Sequence, residues 1–158
     1  MAGARKVRLD CDASFSKAAK KTAKVRAAEV FAHSEGVLDL GDVERVHDMR
    51  VATRRLRAAL EVFAPCFPPK RHRKTLKKVK ALADALGARR DADVEIALLE
   101  NLTGEAAEAD RAALHSLIDE LRLRQAKANE ALAAYVAPKR LKKLRRRLKK
   151  LIKRAGSG

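Results

Sequence analysis

Val46 to Phe63 reads VHDMRVATRRLRAALEVF, and this stretch decides the fold class. Placed at ~100° per residue, Met49, Ala52, Leu56, Ala59, Leu60 and Phe63 gather on one side. His47, Arg50, Arg54 and Arg57 fall within an arc of roughly 80° on the opposite side. That is an amphipathic helix with one apolar stripe and one cationic ridge. Glu61 continues the ridge line one turn beyond Arg57 and is placed to pair with it. Asp42 is positioned to cap the helix start, and Pro65, Pro68 and Pro69 end it.

The rest of the chain reads the same way. Its 158 residues are the length of one domain and suffice for a core without staples. Ala, Leu, Lys, Arg and Glu dominate, with only 7 Gly and 4 Pro to interrupt them. The pattern predicts an all-α helical bundle of about six helices in a single domain over residues 1–155, with 156–158 as a flexible tail. The first helix runs from about Ser16 to Glu35, capped by Ser14 or Ser16, and the second from Asp42 to about Ala64. A third runs from Lys70 to Leu86, with Gly87 as its C-terminal glycine. A short acidic helix spans Asp91 to Leu102, a long one Glu105 to Val136, and a basic one Lys139 to Arg154. No period-2 alternation marks a strand.

Charge is large and segregated. The chain carries 37 Lys and Arg against 20 Asp and Glu, a net +17. Residues 70–80 hold seven Lys or Arg and no acid, and residues 139–154 hold eleven and no acid. Residues 91–110 hold seven acids and no Lys or Arg. The surplus positive charge favours a polyanionic partner. In the third helix Leu76, Val79, Leu82, Ala83 and Leu86 form the apolar stripe, and Lys70, Arg73, Lys77 and Lys80 share another face. In the last helix Leu141, Leu144, Leu148, Leu151 and Ile152 lie opposite Lys139, Lys143, Arg146, Lys150 and Lys153. If the three stripes share one core, their basic faces line a common groove.

Three arginines on one ridge repel one another and cannot shed their protons. Guanidinium forks match phosphate oxygens two at a time, so such a ridge suits a chain of closely spaced phosphates. The plain alternative is a solvated helix face. Signals for catalysis are absent: no Walker loop, no GxGxxG and no HExxH occurs. Cys11 and Cys66 form no CxxC, and His33, His72 and His115 have no metal spacing with them. Cys66 reads as a small buried hydrophobe. Two isolated thiols, no leader-like N-terminus and no run of 18 apolar residues lead to the expectation of a cytoplasmic protein with no membrane span. No cofactor is required. Asp91 and Asp93 leave open a divalent cation bridging bound phosphates.

Two motifs resemble the CHAD family, the conserved histidine α-helical domain. Val46 to Arg57 is similar to a signature of the form VHxxRVAxRRLR. Leu86 to Val94, LGARRDADV, is similar to the family's LGxxRDxDV segment. The spacing between them also fits. The resemblance implies an all-helical protein, not an enzyme, that binds inorganic polyphosphate through a basic surface and associates with polyphosphate granules. It implies His47, Arg50, Arg54 and Arg57 as principal ligands, supported by Arg73, Lys77 and Lys80. Arg89 and Arg90 match the second motif, whose acids Asp91 and Asp93 serve as caps or as partners that aim arginines. Lys143, Arg146 and Lys150 complete the expected set. Family members resemble two helical halves across a basic channel. This chain supplies about one, so either two chains pair to rebuild the channel or the site is an open, weaker groove. A C2 homodimer is expected, and with no acidic ExExK segment ahead of the motif no attached hydrolase is expected. The competing reading is a module that binds nucleic acid without sequence preference. Aromatic residues, at 3%, are too few for base stacking.

Overall fold

A computed structural model describes residues 3–156 of the chain. Five α-helices and one short 3₁₀ turn follow one another: α1 (Phe15–Ala32), α2 (Val43–Val62), the turn Ala64–Cys66, α3 (Pro69–Glu105), α4 (Glu108–Val136) and α5 (Pro138–Lys153). The described residues contain no strand. α2 lies between α1 and α3, α4 packs back along α3, and α5 lies across α1, α3 and α4. One apolar cluster draws on all of them, including Val30, Met49, Leu56, Phe67, Leu82, Leu132 and Leu148. Cys66 is buried in it, as its sequence context suggests.

The helix boundaries follow local chemistry. Ser14 is the cap of α1, its hydroxyl accepting from Lys17 N at 3.2 Å. Asp42 precedes α2 as expected but makes no capping bond. Its carboxylate accepts instead from Arg45 Nε at 2.9 Å, and Arg45 Nη1 donates to Glu35 O at 3.1 Å. Gly36 takes φ +67°, a backbone conformation L side chains rarely adopt, and a Cβ there would stand 2.6 Å from Arg45 Nη1, so the arginine would have to move as well. The prolines end α2 and restart the chain, with Pro69 at the first position of α3.

The expected break at Gly87 does not occur. The third and fourth predicted helices are one 37-residue helix, ~55 Å long. An interior glycine costs about 1 kcal/mol relative to alanine. The buried stripe Val79, Leu82, Leu86, Ala92 and Ile96 runs on through that position, and its packing outweighs the local cost. Beyond Ile96 the α3–α4 pair has left the core. Ile118 is its one buried apolar side chain there among the described residues, while Leu98, Leu102, Leu117 and Leu123 are exposed.

Two tertiary contacts close the ends. His72, buried, donates from Nε2 to Leu60 O at 2.7 Å and stacks on Phe67. Leu60 O belongs to the last turn of α2, whose carbonyls have no partner within the helix. His72→Leu keeps apolar volume but orphans that carbonyl. It is expected to lower stability by about 1–3 kcal/mol in urea unfolding. A loss too small to measure would mean that water replaces the ring. At the other end Gly156, expected in a flexible tail, is anchored: its N–H donates to Cys66 O at 2.7 Å. Its φ is +81°, and Ser16 fills the space a Cβ would need. The remainder of the expected tail, Ser157 and Gly158, lies outside the described residues.

The N-terminal segment is held by Glu29. This carboxylate is buried, 2.7 and 2.9 Å from Arg26 Nη1, and accepts from Arg5 N at 2.7 Å. Burial alone would raise its pKa. The Arg26 bonds and the Arg5 amide outweigh that and hold it below the ordinary carboxylate value.

Candidate phosphate-binding surface

α2 positions the signature as its periodicity requires. Val46, Met49, Ala52, Leu56 and Leu60 are buried. On the other side Arg54 is exposed, and His47, Arg50 and Arg57 are part-exposed. Arg54 and Arg57, with Arg55, Val51, Ala58 and Glu61, line an open depression of about 530 Å³.

The antiparallel α2–α3 pairing brings the second motif to the opposite end of the ridge. His47 and Arg50 line a depression of about 360 Å³ together with Arg90, Asp91, Val94 and Glu95. The two sequence motifs therefore meet on one surface. Arg90 also braces the pairing: its Nη1 donates to Val43 O at 3.3 Å, and its Nη2 is 3.6 Å from Glu44. It is only 19% exposed, so it contributes mainly as a local positive charge.

Glu61 closes the other end. Its Oε1 accepts from Arg57 Nε at 3.2 Å, the pairing its spacing suggests. The same oxygen is 3.1 Å from Lys80 Nζ on α3. Bonds from Lys80 and then Arg57 hold the Glu61 carboxyl below its ordinary pKa. One carboxylate thus holds two cations side by side without cancelling both. Arg73 and Lys77 are exposed further along α3.

Arg89 has to be removed from the expected ligands. Its side chain is 0% exposed, with Nη1 3.2 Å from Asp93 Oδ2. Asp93 Oδ1 in turn accepts from Gln125 Nε2 on α4 at 2.6 Å. None of the three guanidinium nitrogens makes a well-aligned hydrogen bond within the protein. Burial lowers the pKa of Arg89 and raises that of Asp93, each shift opposed by the partner's charge. Position 89 lies one helical repeat from Leu82 and Leu86, so the buried stripe of α3 carries it inward. The same periodicity, followed past Gly87, would have found it in the sequence. Asp93 points into this contact, whereas Asp91 is exposed beside His47. The two do not converge as a bridging-cation site requires.

α5 also departs from expectation. The three apolar stripes do share one core. However, α5 packs on α1, α3 and α4, while the main neighbours of α2 are α1 and α3. Lys150 lines a different depression of about 440 Å³, with Lys70, Arg71, Lys74, Thr75, Arg147 and Leu151. Lys143 and Arg146 are exposed on α5 and join neither depression on α2. Basic residues therefore occupy two surfaces rather than one groove. Arg71, Lys74 and Arg147 were missed because only the packing of α5 against α3 brings them together.

Among the described residues, no three His, Cys, Asp or Glu side chains cluster as a metal site would need. No helix among them is long and apolar enough to cross a membrane. No curated protein and no solved structure matches the chain. The family model described as the CHAD domain matches residues 22–158. That match takes in both motifs of the α2–α3 surface and nearly the whole sequence, and it shows that the chain belongs to the CHAD domain family.

Proposed function

We propose that this protein binds inorganic polyphosphate on the α2–α3 surface, as a binding module rather than an enzyme, and that it serves association with polyphosphate granules. The observation that carries the reading is the meeting of the two family motifs. His47, Arg50, Arg54 and Arg57 line the outer side of a helix whose inner side is core, and Arg90 and Lys80 flank the ends. Arginines spaced along a helix meet a repeating anion at several points, and each phosphate contact releases counterions. His47 donates to phosphate from its neutral form and from both nitrogens when protonated.

Nucleic acid is the competing polyanion, supported by the net +17. The surface offers little for bases. Phe67 is buried, Phe31 and Phe63 are packed on the core, and the exposed Phe15 rests against Phe63 with ring centroids 5.0 Å apart. Tyr135 is the remaining exposed aromatic side chain. Titration with long-chain polyphosphate in about 150 mM salt, with single-stranded and duplex DNA as competitors, separates the two. Binding that survives excess DNA supports the proposal. Displacement by DNA at equal phosphate concentration contradicts it.

A homodimer is part of this proposal. Val94, Leu98 and Leu102 form an exposed apolar row on α3, within the segment that carries seven acids and no base. Glu95 and Glu100 beside the row already pair with Arg124 and Arg122 of α4, so the exposed apolar row itself is the surface that a second copy covers. Light scattering is expected to give twice 17.4 kDa at micromolar concentration. A monomer mass with and without polyphosphate contradicts it.

A further inference from the structure

We infer that the cleft between the start of α3 and α5 is a second anion site, separate from the α2 surface and able to hold phosphate groups by itself. Lys70, Arg71 and Lys74 form one wall and Arg147 and Lys150 the other, over the buried side chains of Thr75 and Leu151. Among the described residues none of these five cations has a carboxylate partner. The α2 ridge differs, since Glu61 already engages Arg57 and Lys80 there.

The placement of these charges is locally unfavourable. Lys70 and Arg71 stand in the first turn of a 37-residue helix that has no acid there. The positive end of the helix dipole disfavours each such cation. α5 then sets two more cations on the other side of the same depression. Like charges held together across this cleft are stabilised by an anion between them, and of the turn's amides Lys70 and Arg71 keep an N–H where Pro68 and Pro69 have none. Arginine on both walls favours phosphate oxygens, which a guanidinium fork meets two at a time.

The two sites are close along α3. Lys74 and Lys80 are separated by a rise of ~9 Å, with the exposed Lys77 between them and Arg73 nearby. A long chain therefore engages both surfaces at once, and the second contact is effectively intramolecular. A short chain occupies one surface at a time. The choice of condensed phosphate as ligand rests on the function proposed above; the existence of the cleft site does not.

The test follows backbone amide NMR shifts during titration with tripolyphosphate, in the unsubstituted protein, in Lys74→Ala/Lys150→Ala and in Arg50→Ala/Arg54→Ala. Amides at the start of α3 and around residues 147–151 are expected to shift in the unsubstituted protein. They are expected to shift equally in the α2 variant and to stop shifting in the cleft variant. Long-chain polyphosphate is expected to bind the cleft variant at least about tenfold more weakly in about 150 mM salt. If the cleft amides stay still while those of α2 move, the inference falls and the proposed function stands. If only the cleft amides move, the cleft stands and the α2 reading falls. If neither set moves, both are overturned.

Discussion

Arg89→Ala is expected to destabilise the protein by about 3–5 kcal/mol, the largest effect of any single substitution considered. The variant leaves Asp93 buried without its counter-charge, held by Gln125 alone. It also opens a void where the largest fully buried side chain among the described residues stood. Urea unfolding is expected to show a lower midpoint with an unchanged slope. A loss under about 1 kcal/mol would show that Asp93 is neutral in the native protein and that the pair contributes little.

Acidity gives this variant a second signature. Burial raises the Asp93 pKa above its ordinary value, and removing the guanidinium raises it further. The native state then binds a proton more tightly than the unfolded chain does. On this group's account stability rises as pH falls from the raised native pKa toward the ordinary carboxyl value, and is lost again as pH rises through the raised one. The deficit of Arg89→Ala is therefore expected to shrink in mildly acid solution. Replacing both partners, as Arg89→Leu/Asp93→Leu, is expected to recover much of the loss, because no charge is left buried. Replacing a buried ion pair by apolar groups also separates its structural role from phosphate binding.

Much of this architecture is legible in the sequence because periodicity is a local property. The ridge on α2, its buried stripe and the proline-marked turn all follow from spacing alone. Two expectations fail on the same stretch of α3. Gly87 carries an ordinary stop signal, and treating it as one cut α3 in two. Arg89 entered the expected ligands through its match to the second motif, although it continues the buried line of Leu82 and Leu86. The cleft between α3 and α5 was illegible for a different reason. The stripe on α5 says which side is buried, but not which helices bury it. Arg147 meets Lys74 only because α5 crosses α3, and Arg145 lies 4.6 Å from the Phe31 ring on its other flank. The contact of Glu61 with Lys80 is likewise tertiary: spacing reveals its bond to Arg57 but not the cation across the helix pair.

Arg50→Ala/Arg54→Ala carries the second large effect. Both side chains lie outside the apolar cluster, and neither has an ion-pair partner among the described residues. Their loss is expected to leave helix content and unfolding midpoint nearly unchanged. Each guanidinium–phosphate contact contributes about 1.5 kcal/mol at the low end for charged hydrogen bonds. Two such contacts correspond to roughly a hundredfold in affinity. The dependence on salt should also flatten, by roughly 0.7–0.9 in logarithmic slope for each phosphate contact removed.

Titration of long-chain polyphosphate into the native protein and into this double variant, at one salt concentration and with both shown to be folded, tests the central claim most directly. The expected result is tight binding by the native protein and roughly hundredfold weaker binding by the variant. Equal affinity for the two would contradict it, and would mean that the phosphate-matched ridge on α2 is not where the chain is held.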